Sequence, residues 1–279
     1  MTLARTTDLV QRARADGHGV AAFNVITLEH AEAIALGAET TGQPAILQIS
    51  ENAVRFHGGR LRPIASAAVA VAEASTVPLA VHLDHVEDDS LLRQAAGTGI
   101  SSAMYDASKL DYEANVAATR RAADWARAQG LWLEAELGEI GGKDGAHAPG
   151  VLTDPEEAAA FVAATGVDAL AVAVGSSHAM TERRAALDLD RIARLRQLLE
   201  VPLVLHGSSG VPDRTLLDAI AAGMTKINVS THLNGFFTRA VRTYLEANTA
   251  VVDSRKYLGA GRDALVPEVA RLLTLFSQC

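Results

Sequence analysis

Leu79–Asp84, with the sequence LAVHLD, is an apolar run of strand length that ends in a carboxylate, and the helix-like stretch Asp88–Ala96 follows it. The same order of an apolar run and a helix-like stretch repeats along the chain. The other runs of strand length are Gly19–Val25, Ala45–Ser50, Ile100–Tyr105, Leu131–Glu136, Asp168–Val174, Leu203–His206 and Lys226–Ser230. The other stretches with Ala, Leu, Glu and Arg at helical spacing are Leu28–Thr41, Arg62–Ser75, Tyr112–Gln129, Asp154–Thr165, Asp188–Leu199 and Pro212–Ala222.

This alternation predicts parallel strands and, with eight of them, a closed (β/α)8 TIM barrel. The length of 279 residues suits one such barrel, so we expect a single domain over residues 1–279. An open, doubly wound sheet is the alternative, but no strand-turn-helix unit carries GxGxxG. A last helical stretch, Arg262–Phe276, is expected to close the bottom of the barrel or to pack on a partner subunit.

The composition is that of a globular protein, with 49% hydrophobic and 21% charged residues. The formal net charge of −8 does not favour nucleic acid or an anionic membrane surface as a partner. The one cysteine, Cys279, excludes an intrachain disulfide and fits a reducing, cytoplasmic compartment. No apolar run reaches the roughly 18 residues of a membrane span, and the N-terminal stretch lacks the apolar region of a signal peptide.

Polar residues are concentrated where the predicted strands end, which is the end that carries the chemistry in this fold. Four pairs are two residues apart and so share one face of their strand: Gln48/Ser50, His82/Asp84, Glu134/Glu136 and Asn228/Ser230. In a packed apolar interior such pairs would be costly without partners. We therefore expect them at the mouth of the barrel.

Three histidines, His85, His178 and His206, stand at or just past strand ends. Three imidazoles that leave a fourth position open are typical of a catalytic zinc site, although each could instead be a hydrogen-bonded loop residue. Asp84 suits a general acid or base beside a metal, or a carboxylate that fixes a neighbouring histidine. For His82 we expect a buried, hydrogen-bonded side chain.

The turns HGSSG (206–210) and INVST (227–231) follow the last two strands, which is the usual phosphate site of the fold. Lys226 could neutralise a phosphate or pair with a carboxylate, and we expect the pair. The Gly-rich segment 138–150 is too short for a domain and is predicted to be a mobile active-site loop.

Several motifs occur in an order that resembles the class II, metal-dependent ketose-bisphosphate aldolases. They are VAAFNV (20–25), HLDH (82–85), SAMYD (102–106), LEAELGEIGG (133–142), AVAVGSSH (171–178), PLVLHGSSG (202–210), KINVST (226–231) and DSRKYLGAGRDAL (253–265). The resemblance runs from about residue 5 to residue 275, and it is nearest to the branch with tagatose and smaller fructose bisphosphate aldolases. It implies cleavage of a ketose 1,6-bisphosphate to dihydroxyacetone phosphate and glyceraldehyde 3-phosphate by a homo-oligomer, a dimer or a tetramer.

The resemblance also implies roles for individual positions. His85, His178 and His206 would hold one catalytic Zn²⁺, and Asp84 would move the proton of the hydroxyl at the bond that breaks. Asp106 and Glu136 match the ligands of a second or alternative metal position, so a second divalent or a monovalent cation is also implied. The positions that would bind the substrate are Asn24, Ser50, Ala179, Gly207, Ser208, Ser209, Asn228, Val229, Ser230, Thr231 and Arg255. Arg255 would reach the far phosphate, often in a neighbouring subunit.

Some positions depart from the pattern of that family. Ala179 replaces a glycine, Ser230 an aspartate or alanine, and His232 an acidic residue, so the epimer of the sugar stays open. Asp144 stands about where a longer glutamate assists proton exchange. Three alternatives also stay open: a Schiff-base aldolase that uses Lys226, a metal-dependent hydrolase, and a non-catalytic subunit that binds a sugar phosphate. An aldolase acting on another phosphorylated ketose is a further alternative.

Overall fold

Eight parallel strands close into a barrel in the computed structural model, which describes residues 2–137, 152–177, 180 and 182–278. The strands are β1 (Val20–Asn24), β2 (Ala45–Ser50), β3 (Leu79–Val86), β4 (Ser102–Tyr105), β5 (Trp132–Leu137), β6 (Ala169–Val172), β7 (Leu203–Leu205) and β8 (Met224–Val229). Each strand pairs with the next one along the chain, and β8 pairs with β1. The predicted (β/α)8 TIM barrel is confirmed.

The first helix of the chain precedes β1, and the other helices follow strands along the chain and cover the outside of the ring. The helices are α1 (Thr6–Asp16), α2 (Leu28–Thr41), α3 (Glu51–Phe56), α4 (Leu61–Ala74), α5 (Asp89–Gln94), α6 (Tyr112–Ala128), α7 (Pro155–Thr165), α8 (Leu189–Leu198), α9 (Asp213–Ala222), α10 (Thr231–Ala247) and α11 (Ser254–Phe276). Local sequence sets several helix starts. Before α7, for example, the Asp154 carboxylate accepts hydrogen bonds from the amides of Glu156 and Glu157, and Pro155 occupies the first turn.

The inside of the barrel is apolar at the bottom and polar towards the mouth. The lower interior side chains form one cluster with Leu9 and Val10 of α1; its other buried members are Val20, Ala22, Ile46, Ala80, Trp132, Ala169, Ala171, Ala173 and Val204. The helix that closes the bottom is therefore α1, which also contacts β1, β3 and β8. The polar side chains that remain in the interior lie above this plug, on the side where the strands end.

The last helix occupies a different place from the predicted closure of the bottom. It begins at Ser254 rather than Arg262, continues through Pro267, and packs along α2 and α10 on the outside of the barrel. Its apolar residues are buried in the core around the barrel: Leu265, Val269, Leu272, Leu273 and Phe276. Close approach to its neighbours depends on small residues, since a Cβ at Gly261 would lie 2.7 Å from the Phe237 ring and one at Gly37 would lie 2.6 Å from Val269.

Three helices were not predicted, namely α1, α3 and α10. The first two offer only a weak apolar repeat, since α1 buries only Thr6, Leu9 and Val10 and α3 has six residues. The third was overlooked although its apolar residues recur at helical spacing: Leu233, Phe236, Phe237, Ala240 and Tyr244. Tertiary contacts with the barrel stabilise α1 and α3 more than their own helical pattern does. Within the described residues, no helix combines the length and the low charge that crossing a bilayer requires.

The contact between Gly37 of α2 and Val269 of α11 makes a stability prediction. Gly37→Ala should lower the free energy of unfolding, because overpacking costs about 1–3 kcal/mol, whereas alanine gains only about 0.5–1 kcal/mol over glycine in a helix. The matched control is Gly235→Ala in α10, where an added Cβ meets nothing within 4 Å and should raise stability. Urea denaturation of both variants measures the difference. A Gly37→Ala protein as stable as Gly235→Ala would contradict this account of the α2–α11 contact.

Candidate active site

Strand register brings a row of polar side chains together at the mouth of the barrel. Gln48 of β2 is paired with Asn24 of β1 on one side and with His82 of β3 on the other, and Ser50 is paired with Asp84. The buried Gln48 amide donates to Asn24 Oδ1 at 2.6 Å and to Asp84 Oδ2 at 3.2 Å. One amide group thus links the ends of three strands.

A bulge in β3 brings two successive residues to the same region. Side chains normally alternate between the faces of a strand, so Asp84 and His85 would point in opposite directions. Between Leu83 and Val86, however, β3 has one residue more than β4, and His85 adopts a φ of 50°. This left-handed conformation is rare for a residue with a side chain and is found at functional sites. It brings the His85 Nε2 within 4.0 Å of Asp84 Oδ2.

The His85 ring is held from the side by β4. Its Nδ1 lies 3.1 Å from Asp106 Oδ2, and the other oxygen of Asp106 accepts bonds from the amide and the hydroxyl of Ser108. A carboxylate on one ring nitrogen fixes the orientation of the imidazole and presents the other nitrogen to the cavity. Three residues earlier on β3, His82 is fully buried and its Nδ1 bonds Ser102 at 2.8 Å, as predicted.

Two glutamates of β5 surround His206, which is fully buried at the end of β7. Its Nε2 lies 2.9 Å from Glu134 Oε1 and its Nδ1 lies 3.1 Å from Glu136 Oε2. Burial lowers the pKa of His206, but the bonds to the two carboxylates outweigh burial and raise this pKa to about 9. Glu134 also accepts from Lys226 Nζ at 2.8 Å, and Lys226 donates to Asn228 Oδ1 at 2.8 Å. The predicted pairing of Lys226 with a carboxylate is confirmed.

Asp84 is ionised in this setting. Burial raises the pKa of its carboxyl, but the charges of His85 and Lys226 and the nearby His82 hold the pKa well below its usual range. A carboxylate that is anionic near neutral pH can accept a proton or contribute an oxygen to a cation. Its Oδ1 has no hydrogen-bond partner within the described part of the chain.

The donor atoms fit a divalent cation. One ligand atom from each of Asp84, His85 and His206 lies within 4.8 Å of the others, and the His85 and His206 ring centroids are 4.6 Å apart. His85, Asp106 and Glu136 form a second such group. Charge points the same way, because Asp84, Asp106, Glu134 and Glu136 are all buried at the strand ends, whereas Lys226 is the one buried lysine among the described residues. Imidazole nitrogen and carboxylate oxygen are the usual ligands of zinc and related metals.

A compact turn after β7 forms the opposite wall of the mouth. Gly207 has a φ of 68°, and a Cβ there would lie 2.7 Å from the backbone of Ser177, so the position requires glycine. The next two hydroxyls bind the end of β8: Ser208 donates to the carbonyl of Asn228, and Ser209 Oγ accepts from the amide of His232 at 3.1 Å. The turn is thereby placed beside the first residues of α10.

A cavity of about 680 Å³ opens at this end of the barrel. The predicted site residues on its wall are Asn24, Ser50, Asp84, His85, Asp106, Gly207, Ser209, Asn228, Ser230 and Thr231. His206 and Glu136 are buried beside it, and Ser208 is buried beneath the turn. The Val229 side chain packs in the apolar core outside the ring. Arg255 begins α11, is exposed and is paired with Asp253, and does not line the cavity.

The predicted roles of Asp144, His178 and Ala179, and the predicted loop 138–150, lie outside the described residues. Other residues of the cavity wall had no assigned role in the sequence. Gln48 carried a signal, because it lies two residues before Ser50 on a strand. Arg55 of α3 and Lys109, just after β4, also line the cavity, but single charged residues after a strand end give no clear signal in a sequence.

Comparison with known proteins agrees with this geometry. The sequence profile of the family described as "Fructose-bisphosphate aldolase class-II" matches residues 4–279. A fructose-bisphosphate aldolase from Thermus caldophilus is 38% identical, with 96% of each chain covered. One from Geobacillus stearothermophilus is also 38% identical, covering 95% of this chain and 93% of the relative. The crystal structure of the YdjI aldolase from Escherichia coli K12 superimposes with a TM-score of 0.84 at 30% identity, covering 98% and 97% of the two chains.

These matches extend over nearly the whole length of both partners, and they confirm the resemblance that the ordered motifs indicate. The chain belongs to the class II fructose-bisphosphate aldolase family and is an aldolase, a lyase of carbon–carbon bonds.

Proposed function

We propose that the chain catalyses the reversible cleavage of a ketose 1,6-bisphosphate, fructose or tagatose, to dihydroxyacetone phosphate and glyceraldehyde 3-phosphate. The observation that carries the proposal is the convergence of Asp84, His85 and His206 at the mouth of the barrel, where their ligand atoms lie within 4.8 Å of one another. Family membership and the names of the relatives support the substrate class.

The cation that we assign to this site is Zn²⁺, held by His85, His206 and His178. When bound, it supplies Lewis-acid polarisation of the substrate carbonyl. Asp106 keeps His85 oriented through its bond to Nδ1. We keep Asp106 and Glu136 as candidates for a second cation position, because both belong to the second ligand group.

Asp84 is the residue to which we assign the proton transfer. In cleavage, its carboxylate accepts the proton of the C4 hydroxyl as the C3–C4 bond breaks, and an aldehyde forms at C4. The bonding pair moves towards C3 and the C2 carbonyl, and C3 then takes up a proton, a step for which Asp144 is our candidate. In condensation, Asp84 returns its proton to the aldehyde oxygen. Gln48 holds the carboxylate in place from β2.

The substrate phosphates position the carbon chain and take no part in the bond changes. We assign the phosphate of the dihydroxyacetone half to the turn Gly207–Ser209 and to Ser230 and Thr231, with Asn228 beside them. Backbone amides of a Gly-Ser turn and the first turn of α10 form a concave set of donors that suits an anion. We also propose that residues 1–279 form one domain and that the protein is a homo-oligomer.

A coupled triose-phosphate assay tests the function. We expect cleavage of fructose 1,6-bisphosphate, tagatose 1,6-bisphosphate or both, loss of activity with a chelator, and recovery with added Zn²⁺. Release of inorganic phosphate without a triose product would indicate a hydrolase instead. Trapping of the substrate on Lys226 by borohydride would indicate a Schiff-base aldolase. Saturable binding without turnover, even with metal and a candidate partner protein present, would indicate a binding subunit.

Asp84→Ala should keep the metal and lose cleavage. Removal of a general base lowers the rate by about 10²–10⁴-fold, whereas the histidine ligands remain. Metal content by mass spectrometry and kcat by the coupled assay measure the two effects separately. Asp124→Ala, at an exposed aspartate of α6, is the control and should change neither. Turnover at the normal rate by metal-loaded Asp84→Ala would refute the assigned role.

Binding of Zn²⁺ should release a proton from His206. Because the pKa of this ring is about 9, it carries a proton at pH 7 in the metal-free protein, and a cation can bind only the neutral ring. Affinity should therefore rise about tenfold per pH unit up to about pH 9. Calorimetric titrations at pH 7 in two buffers of different ionisation enthalpy count the protons. Glu134→Gln, which removes one of the carboxylates that raise the pKa, should release fewer. Identical heats in both buffers would contradict the prediction.

A further inference from the structure

The two sides of the barrel mouth carry different kinds of polar group. The order of strands in the closed ring places β3 opposite β7 and β4 opposite β8. The turn Gly207–Ser209 and the start of α10 lie on the β7–β8 side. On the β2–β4 side, the cavity wall holds Arg55 and Lys109, which are the only Lys or Arg side chains on that wall among the residues described. We refer to these two residues as the rim cations.

The Arg55 guanidinium is paired with neighbouring side chains and still has N–H groups that are exposed. It pairs with Glu51 one helical turn earlier and donates to Asn52 Oδ1 at 3.3 Å. Glu51 is itself buried. Its second oxygen accepts hydrogen bonds from the amides of Glu87 and Asp88 at 2.7 and 3.2 Å, which fixes its position. The guanidinium has five N–H donors, and the Arg55 side chain is 65% exposed. Donors therefore remain for a further acceptor in the cavity.

Lys109 follows β4, whereas Arg55 follows β2, so the two residues lie on opposite sides of β3. The Lys109 Nζ lies 3.0 Å from Glu87 Oε1, and its side chain is 56% exposed. Glu87 is the residue whose amide binds Glu51, so the two cations are attached to one framework after β3. Asp84 and His85, at the end of β3, lie between them along the ring.

An elongated substrate with an anionic group at each end would extend across this mouth. With one phosphate at the Gly207–Ser209 turn and the reacting carbons beside Asp84, its other end falls on the side of the rim cations. We propose that Arg55, assisted by Lys109, binds the distal anionic group of the substrate and thereby selects a bisphosphate over a ketose with one phosphate. This inference rests on the proposed function. Arginine suits the task, because its planar fork can bind two phosphate oxygens at once.

The proposal differs from what the resemblance implies for Arg255. That side chain does not line the cavity of its own chain, so it could serve the distal group only from another copy. The rim cations, in contrast, belong to the same chain as Asp84 and His85. The distal group then has a binding partner within the chain that carries the reacting residues.

The test compares two substrates that share the reacting bond and differ at the distal end, fructose 1,6-bisphosphate and fructose 1-phosphate, or the tagatose pair if the protein prefers it. Formation of dihydroxyacetone phosphate is measured in every case. Arg55→Gln should lower kcat/KM for the bisphosphate by about 10- to 100-fold, mainly through KM. It should leave kcat/KM for the 1-phosphate unchanged, which also shows that the variant is folded. Lys109→Gln should act in the same direction with a smaller effect.

Arg214→Gln is the matched control, since Arg214 also pairs with an acid one helical turn away but lies on the outer helix α9. This variant should leave kcat/KM unchanged for both substrates. Equal losses on both substrates in Arg55→Gln would overturn the proposal, because Arg55 would then act only on the structure of the mouth. A loss on the bisphosphate in Arg255→Gln but not in Arg55→Gln would overturn it as well. If the unaltered protein cleaves neither the bisphosphates nor the 1-phosphates, the proposed function itself fails.

Discussion

A carboxylate that accepts from two cationic side chains lies in the interior of this barrel, and the site is organised around it. Glu134 bonds Lys226 with one oxygen and His206 with the other, and all three side chains are fully buried. Burial raises the pKa of Glu134, but Lys226 and His206 lower it to about 2, so the group stays ionised. Removing one member of such a group leaves a buried charge without its partner, which is strongly destabilising. The orientation of His206 is therefore fixed from below by an interaction that no ligand needs to supply.

The same interaction limits what Lys226 can do. To attack a substrate carbonyl as an amine, Lys226 would have to break its hydrogen bonds to Glu134 and Asn228. The buried carboxylate of Glu134 would then lose its cationic partner, which is costly. The place of Lys226 among these partners favours a structural role. Chemistry at the mouth thus depends on the residues above it, where Asp84, His85 and His206 present oxygen and nitrogen atoms within 4.8 Å.

Much of this arrangement could be predicted from the sequence, because a strand displays every second residue on one face. The spacing of the pairs His82/Asp84 and Glu134/Glu136 predicted that these side chains lie at the mouth of the barrel. The short apolar runs predicted the eight strands that close the ring. The closeness of Asp84 and His85 could not be predicted in this way, because alternation places neighbours on opposite faces. The bulge that brings them together is set by the pairing of β3 with β4, and no local sequence pattern encodes a mismatch between two strands. For the same reason α1 was missed: its fit to the barrel bottom stabilises it, and its own sequence shows few apolar positions.

The two walls of the mouth also differ in how their charge is held. On the β7–β8 side, Gly207 permits a close backbone turn, and hydroxyl groups bind backbone atoms, so this wall is fixed before any ligand arrives. On the β2–β4 side, the positive charges of Arg55 and Lys109 sit on long side chains that are more than half exposed and are tethered by Glu51 and Glu87. A rigid wall at the phosphate of the retained half and an adjustable wall at the far end suit a reaction in which one half of the substrate must be held in register while the other departs as a free aldehyde. The aldehyde half can then leave without disturbing the residues that hold the remaining half.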